Sequence, residues 1–209
     1  MIKAVIFDMD GVLIEAKDWH YEALNKSLNL FGYNISRFDH LTKFDGLPTK
    51  DKLNILSTEY NLPYELHSFI NEMKQNYTME IVHTKCKPLF IHEYALSKLK
   101  AEGYKLAVAS NSVKNTVVTM MEKAALSQYL DLMISNEDVN KGKPDPEMYI
   151  KTISLLGLTP DECVVVEDNE NGIRAAKAAG AHVLAVSEVH DVLYRNIKDF
   201  ISSVEGVKM

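Results

Sequence analysis

Beyond residue 100 the apolar positions alternate between short unbroken runs and longer, spaced patterns. The runs YKLAVAS (104–110), LDLMIS (130–135), ECVVVED (162–168) and HVLAV (182–186) are apolar on both faces, which predicts buried strands. Between them, 115–126, 145–157 and 169–180 place apolar residues three and four apart, which predicts helices, the last two closed by Gly157 and Gly180. Residues 4–8 (AVIFD) form one more strand of the same kind, and 88–103 predicts a helix that returns the chain to the sheet. Apolar strands alternating with helices predict a parallel sheet covered on both faces.

Residues 15 to about 82 break that rhythm. Residues 18–32, 49–60 and 63–77 all have helical spacing, and no convincing strand separates them. They predict a small helical insert between the first strand and the rest of the sheet. The sequence has no internal repeat and no low-complexity tract.

Composition narrows this only a little. At 209 residues with 46% hydrophobic side chains, the chain has ample material for one medium core, or one core and a small insert. The net charge of -6 and the lack of a long basic run argue against a nucleic-acid groove. Cys86 and Cys163 imply no disulfide framework and suit a reducing, cytoplasmic setting; Cys163, in an apolar run, reads as a buried thiol. The few residues ahead of Asp8 are too short for a signal peptide or a membrane span.

The strand ends carry the chemistry. In an open α/β sheet, ligands bind beyond the carboxyl ends of the strands. The first strand ends in Asp8-Met9-Asp10-Gly11, the second in Ser110-Asn111-Ser112, and the fourth in Glu167-Asp168-Asn169; Lys143 follows the third, in KGKPDPE. Two aspartates one residue apart repel each other unless a cation or anion-binding chemistry compensates. Carboxylates at such a site suit Mg²⁺, which takes one or two protein carboxylates together with phosphate oxygens and water. A hydroxyl, a lysine and helix N-terminal amides are phosphate donors. A solvated turn, a helix cap and surface charge are the plain alternatives for these groups taken singly; the recurrence at four strand ends argues against them. Lys141 competes with Lys143, which stands next to the proline. Gly172, at the opening turn of a helix, would permit a close approach.

In these motifs the chain resembles the haloacid dehalogenase (HAD) superfamily of phosphohydrolases over nearly its whole length. DMDGVL, VASNS, KGKPDPEMY and VVVEDNENGIRAAKAAG match the four family motifs in order, each after a strand. The resemblance implies a Rossmann-like parallel core (1–14 and 83–209) and an inserted α-helical cap (15–82), as in relatives of β-phosphoglucomutase and phosphoglycolate phosphatase. It implies that Asp8 is the nucleophile, forming an aspartyl-phosphate, and that Asp10 is the general acid/base. Asp8, Met9, Asp10, Ser110, Asn111 and Lys143 would bind the phosphoryl group. Mg²⁺ would sit on Asp8, the main-chain carbonyl of Asp10 and Asp168, with Glu167 a direct or water-mediated partner.

The expected activity is a Mg²⁺-dependent phosphatase acting on a small phosphorylated metabolite, a sugar or polyol phosphate. A phosphomutase of the β-phosphoglucomutase type is the alternative, and a non-catalytic metabolite-binding protein a further one that the intact Asp8 and Asp10 disfavour. No nucleic-acid, membrane or obligate protein partner is implied. Glu15-Ala16 stands where many relatives read Asp-Ser or Asp-Thr, Asn169 where many have Ser, and Thr49-Lys50 where some sugar-phosphate relatives have Arg. His20, Thr49, Lys50 and Lys74 are the cap residues that could touch substrate. His83 and Cys86 are of metal-ligand type, but two such residues do not make a metal site.

Overall fold

The computed structural model describes residues 1–44 and 46–206. Strand β1 (Ala4–Phe7) is followed by helix α1 (Lys17–Asn29), a one-turn helix α2 (Arg37–Asp39) running into a π-helical turn over His40–Phe44, α3 (Thr49–Tyr60) and α4 (His67–Lys85). The alternating half then runs α5 (Phe90–Ala101), β2 (Lys105–Ala109), α6 (Lys114–Lys123), β3 (Leu132–Ile134), α7 (Glu147–Leu155), β4 (Cys163–Glu167), α8 (Glu170–Ala178), β5 (His182–Ala185) and α9 (Tyr194–Glu205).

The five strands form one parallel sheet in the order β3-β2-β1-β4-β5. This is an α/β Rossmann-like fold. β1 lies at the centre because Ala4 to Phe7 are apolar on both faces and fully buried. Its register sets Phe7 beside Val108 on one side and Val166 on the other. The residues that follow all three strands therefore emerge together at one edge. The chain leaves β1 for β2 on one side and later reaches β4 on the other, which makes this the switch point where open sheets bind ligands.

One side of the sheet buries Ala4, Ile6, Ala107, Ala109, Cys163 and Val165 against Met148, Tyr149 and Ile153 of α7 and the alanines of α8. α5 lies against β2, and α9 against α5 and β5. The alanine-rich stretch 169–180 succeeds as a helix because Ala175 and Ala176 are wholly buried, small enough for close packing on β4 and β5. Helix α9 has no counterpart among the predicted elements.

The chain divides into two compact units, one of Met1–Glu15 with Lys87 onward and one of Ala16–Cys86. A boundary at residue 82 falls inside α4, whose last turn continues through His83, Thr84 and Lys85. The second unit has its own core of Leu24, Leu28, Ile35, Phe44, Leu53, Leu56, Leu62 and Ile70. Asn25 braces it by pairing its side-chain amide with both main-chain groups of Ile35, at 2.7 and 2.9 Å. Among the described residues no helix is long and apolar enough to cross a membrane.

Candidate active site

The first side chain past β1 is Asp8, buried and held in line by its N–H donating to the Val166 carbonyl at 3.0 Å. The chain then turns tightly: the N–H groups of Leu13 and Ile14 both donate to the Met9 carbonyl, and Gly11 takes φ +95°. That positive φ is why a glycine follows the aspartates. Met9 itself is fully buried.

Lys143 reaches the same point from the loop ahead of α7. Its Nζ donates to Asp8 Oδ1 at 2.6 Å and to Glu167 Oε1 at 2.5 Å, and the lysine is only 4% exposed. Lys141, by contrast, is at the surface near Asp145. Two devices hold the Lys143 loop. Asn111 accepts from the Lys143 N–H at 2.9 Å and donates to its carbonyl at 3.1 Å. Glu147, at the start of α7, accepts from the N–H groups of Asn140 and Lys141. Gly142 is required for the first device, since a Cβ there would lie 2.6 Å from Asn111 Oδ1. Asn111 was read from the sequence as a phosphate ligand; its side chain also fixes the main chain of Lys143.

Glu167 is the last residue of β4 and is almost wholly buried. Its Oε1 accepts from Lys143 and from the Tyr149 hydroxyl at 2.6 Å, and its Oε2 from the N–H groups of Asp168 and Asn169. The carboxylate lies against Gly172, where any Cβ would overlap it. Asn169 caps α8 by accepting from the Asn171 N–H at 2.9 Å.

Asp8, Glu167 and Asp168 each place a carboxylate oxygen within 4.8 Å of the others. Lys143 pairs with two of these carboxylates, Asp8 and Glu167, so one ammonium stands against two negative charges there. Burial, and then Glu167, push the Asp8 carboxyl well above its usual range despite the pull of Lys143. Burial alone would lower Lys143, but Asp8 and Glu167 outweigh it and hold the ammonium protonated. Tyr149 is raised well above its ordinary value, first by burial and then by Glu167, and so remains a donor. The donor set is all oxygen and suits a hard divalent cation, whose charge would relieve the deficit.

Asp10 faces the end of β2. Ser112 Oγ donates to Asp10 Oδ2 at 3.0 Å, and Ser110 Oγ lies 3.4 Å from the same oxygen. Ser110 also accepts from the Ser112 N–H at 3.1 Å. The roles of Ser112, Glu147, Tyr149 and Gly142 were not read from the sequence. Only Ser112 carried a signal, as the second hydroxyl in SNS.

In the helical unit, His20 on α1 and Lys74 on α4 meet, Nδ1 to Nζ, at 3.2 Å. Thr49 and Lys50 open α3, Thr49 half-buried and Lys50 exposed. Lys52, two residues on, is buried, which nothing in its polar surroundings announced. His83 is exposed on the last turn of α4; among the described residues neither it nor Cys86 belongs to a metal-ligand cluster.

Residues 5–186 match the haloacid dehalogenase-like hydrolases. The chain is 32% identical over 182 residues to a protein of Thermotoga maritima named phosphorylated carbohydrates phosphatase, covering 86% of this chain and 82% of that one. It is 29% identical over 204 residues to a phosphoglycolate phosphatase of Aquifex aeolicus, covering 97% and 92%. Its fold is that of β-phosphoglucomutase from Clostridium difficile, with a TM-score of 0.85 at 23% identity over 99% of this chain and 100% of that one. The acidic cluster at the sheet's switch point and these likenesses agree: the chain belongs to the haloacid dehalogenase-like hydrolases.

Proposed function

We propose that this enzyme is a Mg²⁺-dependent phosphatase that hydrolyses a small phosphorylated metabolite, a sugar or polyol phosphate, through an aspartyl-phosphate on Asp8. The observation that carries the reading is the buried Lys143 ammonium joining Asp8 to Glu167, beside Asp168, at the carboxyl ends of β1 and β4. A lysine so placed keeps the Asp8 carboxylate oriented and meets an incoming phosphoryl group with positive charge.

In the proposed reaction, Asp8 attacks phosphorus and the bond to the leaving oxygen breaks, with Asp10 giving that oxygen its proton. Asp10 then takes a proton from the water that cleaves the aspartyl-phosphate. Ser112 and Ser110 orient Asp10 for both steps. Lys143, the Ser110 hydroxyl and the main-chain N–H groups of Met9, Asp10 and Asn111 are the assigned donors to the phosphoryl oxygens.

Asp8, Asp168 and the Asp10 carbonyl are assigned to Mg²⁺, and both Glu167 oxygens already accept hydrogen bonds, which favours a water-mediated role for that residue. When bound, the cation supplies positive charge to the transferring group. Substrate selectivity is assigned to the helical unit, as a cap, through His20, Thr49, Lys50 or Lys74.

The test is a screen of phosphorylated metabolites with Mg²⁺, following inorganic phosphate and isomerised product in parallel. Phosphate release from a sugar or polyol phosphate is expected. Isomerised sugar phosphate without net phosphate would replace this reading with a mutase, and no turnover of any phosphomonoester would end it.

A further inference from the structure

Tyr149 heads the large fully buried side chains, and its ring belongs to the core that α7 shares with β1 and β2. A phenylalanine would fill that role. The hydroxyl needs another explanation, because a buried hydroxyl is costly unless it is hydrogen-bonded. It donates to Glu167 Oε1 at 2.6 Å, the same oxygen that Lys143 Nζ meets at 2.5 Å. The ammonium also lies 4.8 Å from the centroid of the tyrosine ring.

We propose that Tyr149 is a positioning residue for the reaction: its hydroxyl shares Glu167 Oε1 with Lys143 and so limits how far the ammonium is drawn away from Asp8. A carboxylate oxygen offers two acceptor positions, and on Oε1 the Tyr149 hydroxyl occupies the one that Lys143 does not. Glu167 cannot answer the loss of a donor by moving back, because Gly172 stands against its carboxylate and the N–H groups of Asp168 and Asn169 hold its other oxygen. The adjustable partner is the flexible end of Lys143. Without the hydroxyl, the ammonium, already 2.5 Å from Oε1, swings about that oxygen toward the vacated donor position and its 2.6 Å contact with Asp8 lengthens. The lysine is then misplaced for the charge that develops on the transferring group.

The kinetic side of this inference rests on the phosphatase reading; the structural side does not. Tyr149→Phe keeps the ring and removes only the hydroxyl, while Tyr149→Leu removes both. For the phosphomonoester that the wild type hydrolyses best, Tyr149→Phe is expected to lower kcat about three- to ten-fold with KM changed less than about two-fold. Its melting temperature should stay near that of the wild type, which a packing role for the hydroxyl would not allow. Crystal structures of the two proteins should show Lys143 Nζ out of hydrogen-bonding reach of Asp8 in the variant. If Tyr149→Phe matches the wild-type kcat and only Tyr149→Leu is impaired, the ring alone matters and the positioning role is overturned. If the wild type hydrolyses no phosphomonoester, the phosphatase reading fails, and the position of Lys143 in the two crystal structures still decides this inference.

Discussion

A methyl group on Gly172 would lie 1.8 Å from Glu167 Oε1 and 2.1 Å from its carboxyl carbon. Helix propensity alone favours alanine over glycine by about 1 kcal/mol, yet here the carboxylate must leave its place to admit the methyl. Gly172→Ala should therefore displace Glu167 from Lys143 and lower kcat by about 10²-fold, the scale on which a misplacement of roughly 1 Å acts. Steady-state kinetics beside a thermal melt will check this, since a fall in stability with kcat intact would contradict it. Asp8→Asn should abolish turnover, because an amide cannot form the covalent intermediate, and Asp10→Asn should slow it by about 10²–10⁴, the usual worth of a positioned acid/base. Trapping with a substrate whose leaving group needs no proton separates the two; a phosphoenzyme formed by Asp8→Asn would mean the nucleophile is misassigned. That Asp8, Asp10, Lys143, Glu167 and Asp168 lie at the carboxyl edge of the sheet was legible in the sequence because each follows an apolar run or sits in a short motif. The partners that hold them were not. Ser112 and Asp10 lie 102 positions apart, Asn111 and Lys143 32, and Tyr149 and Glu167 18, so only the fold brings them together.

At the scale of elements, β1 forms the centre of the core and leads directly into Asp8, the proposed nucleophile, so damage to it should reach both. Ile6 is fully buried in the cluster that also holds Tyr149. Ile6→Ala should cost about 2–5 kcal/mol, read from the denaturant midpoint, because the centre of a parallel sheet has little room to collapse around the cavity. Strand β4 offers a chemical probe. Burial pushes the Cys163 thiol up from an ordinary 9.0 to about 12, with Glu162 and Asp161 adding to the shift. The folded state therefore keeps its proton where the unfolded chain loses it, so this contribution to stability is full below about pH 9 and falls as the pH rises toward 12. At pH 8 the thiol should resist a disulfide reagent until denaturant is added, and rapid labelling of Cys163 in the native protein would contradict that. The strands were legible because runs such as CVVVE are apolar on both faces. Helix α9 was legible too and was passed over: Tyr194, Ile197, Phe200, Ile201 and Val204 recur at helical spacing, with Ile197 and Ile201 buried. The end of α4 was missed because His83, Thr84 and Lys85 continue the helix while exposed, so the apolar period fades before the helix does.

The whole molecule joins a sheet unit holding the acidic cluster to a helical unit with a separate core, and the two units invite different tests. Turnover should stop after exhaustive chelation and return best with Mg²⁺, since Asp8, Glu167 and Asp168 offer only hard oxygens; undiminished turnover in chelator would exclude a required metal. The groups that would grip phosphate and cation answer to features every phosphomonoester shares, so they cannot choose among substrates. Selectivity has to come from contacts with the leaving alcohol, which the proposed function places on the helical unit. His20 and Lys74 form a polar pair there, with Lys74 buried, while Thr49 and Lys50 stand at the start of α3. Alanine at a contacting position should lower kcat/KM for the physiological substrate about ten-fold or more, since an unpaired polar group in a closed site costs roughly 1–3 kcal/mol. The same substitution should spare a small aryl phosphate, whose ring has no hydroxyls to bind. His20 and Lys74 share a hydrogen bond, so their double variant should lose less than the product of the single losses if they act on substrate as a unit. If all four substitutions change both substrates in equal proportion, these residues do not read the substrate. Choice would then rest with the sheet unit, where Glu15 is the exposed residue at the end of its first segment.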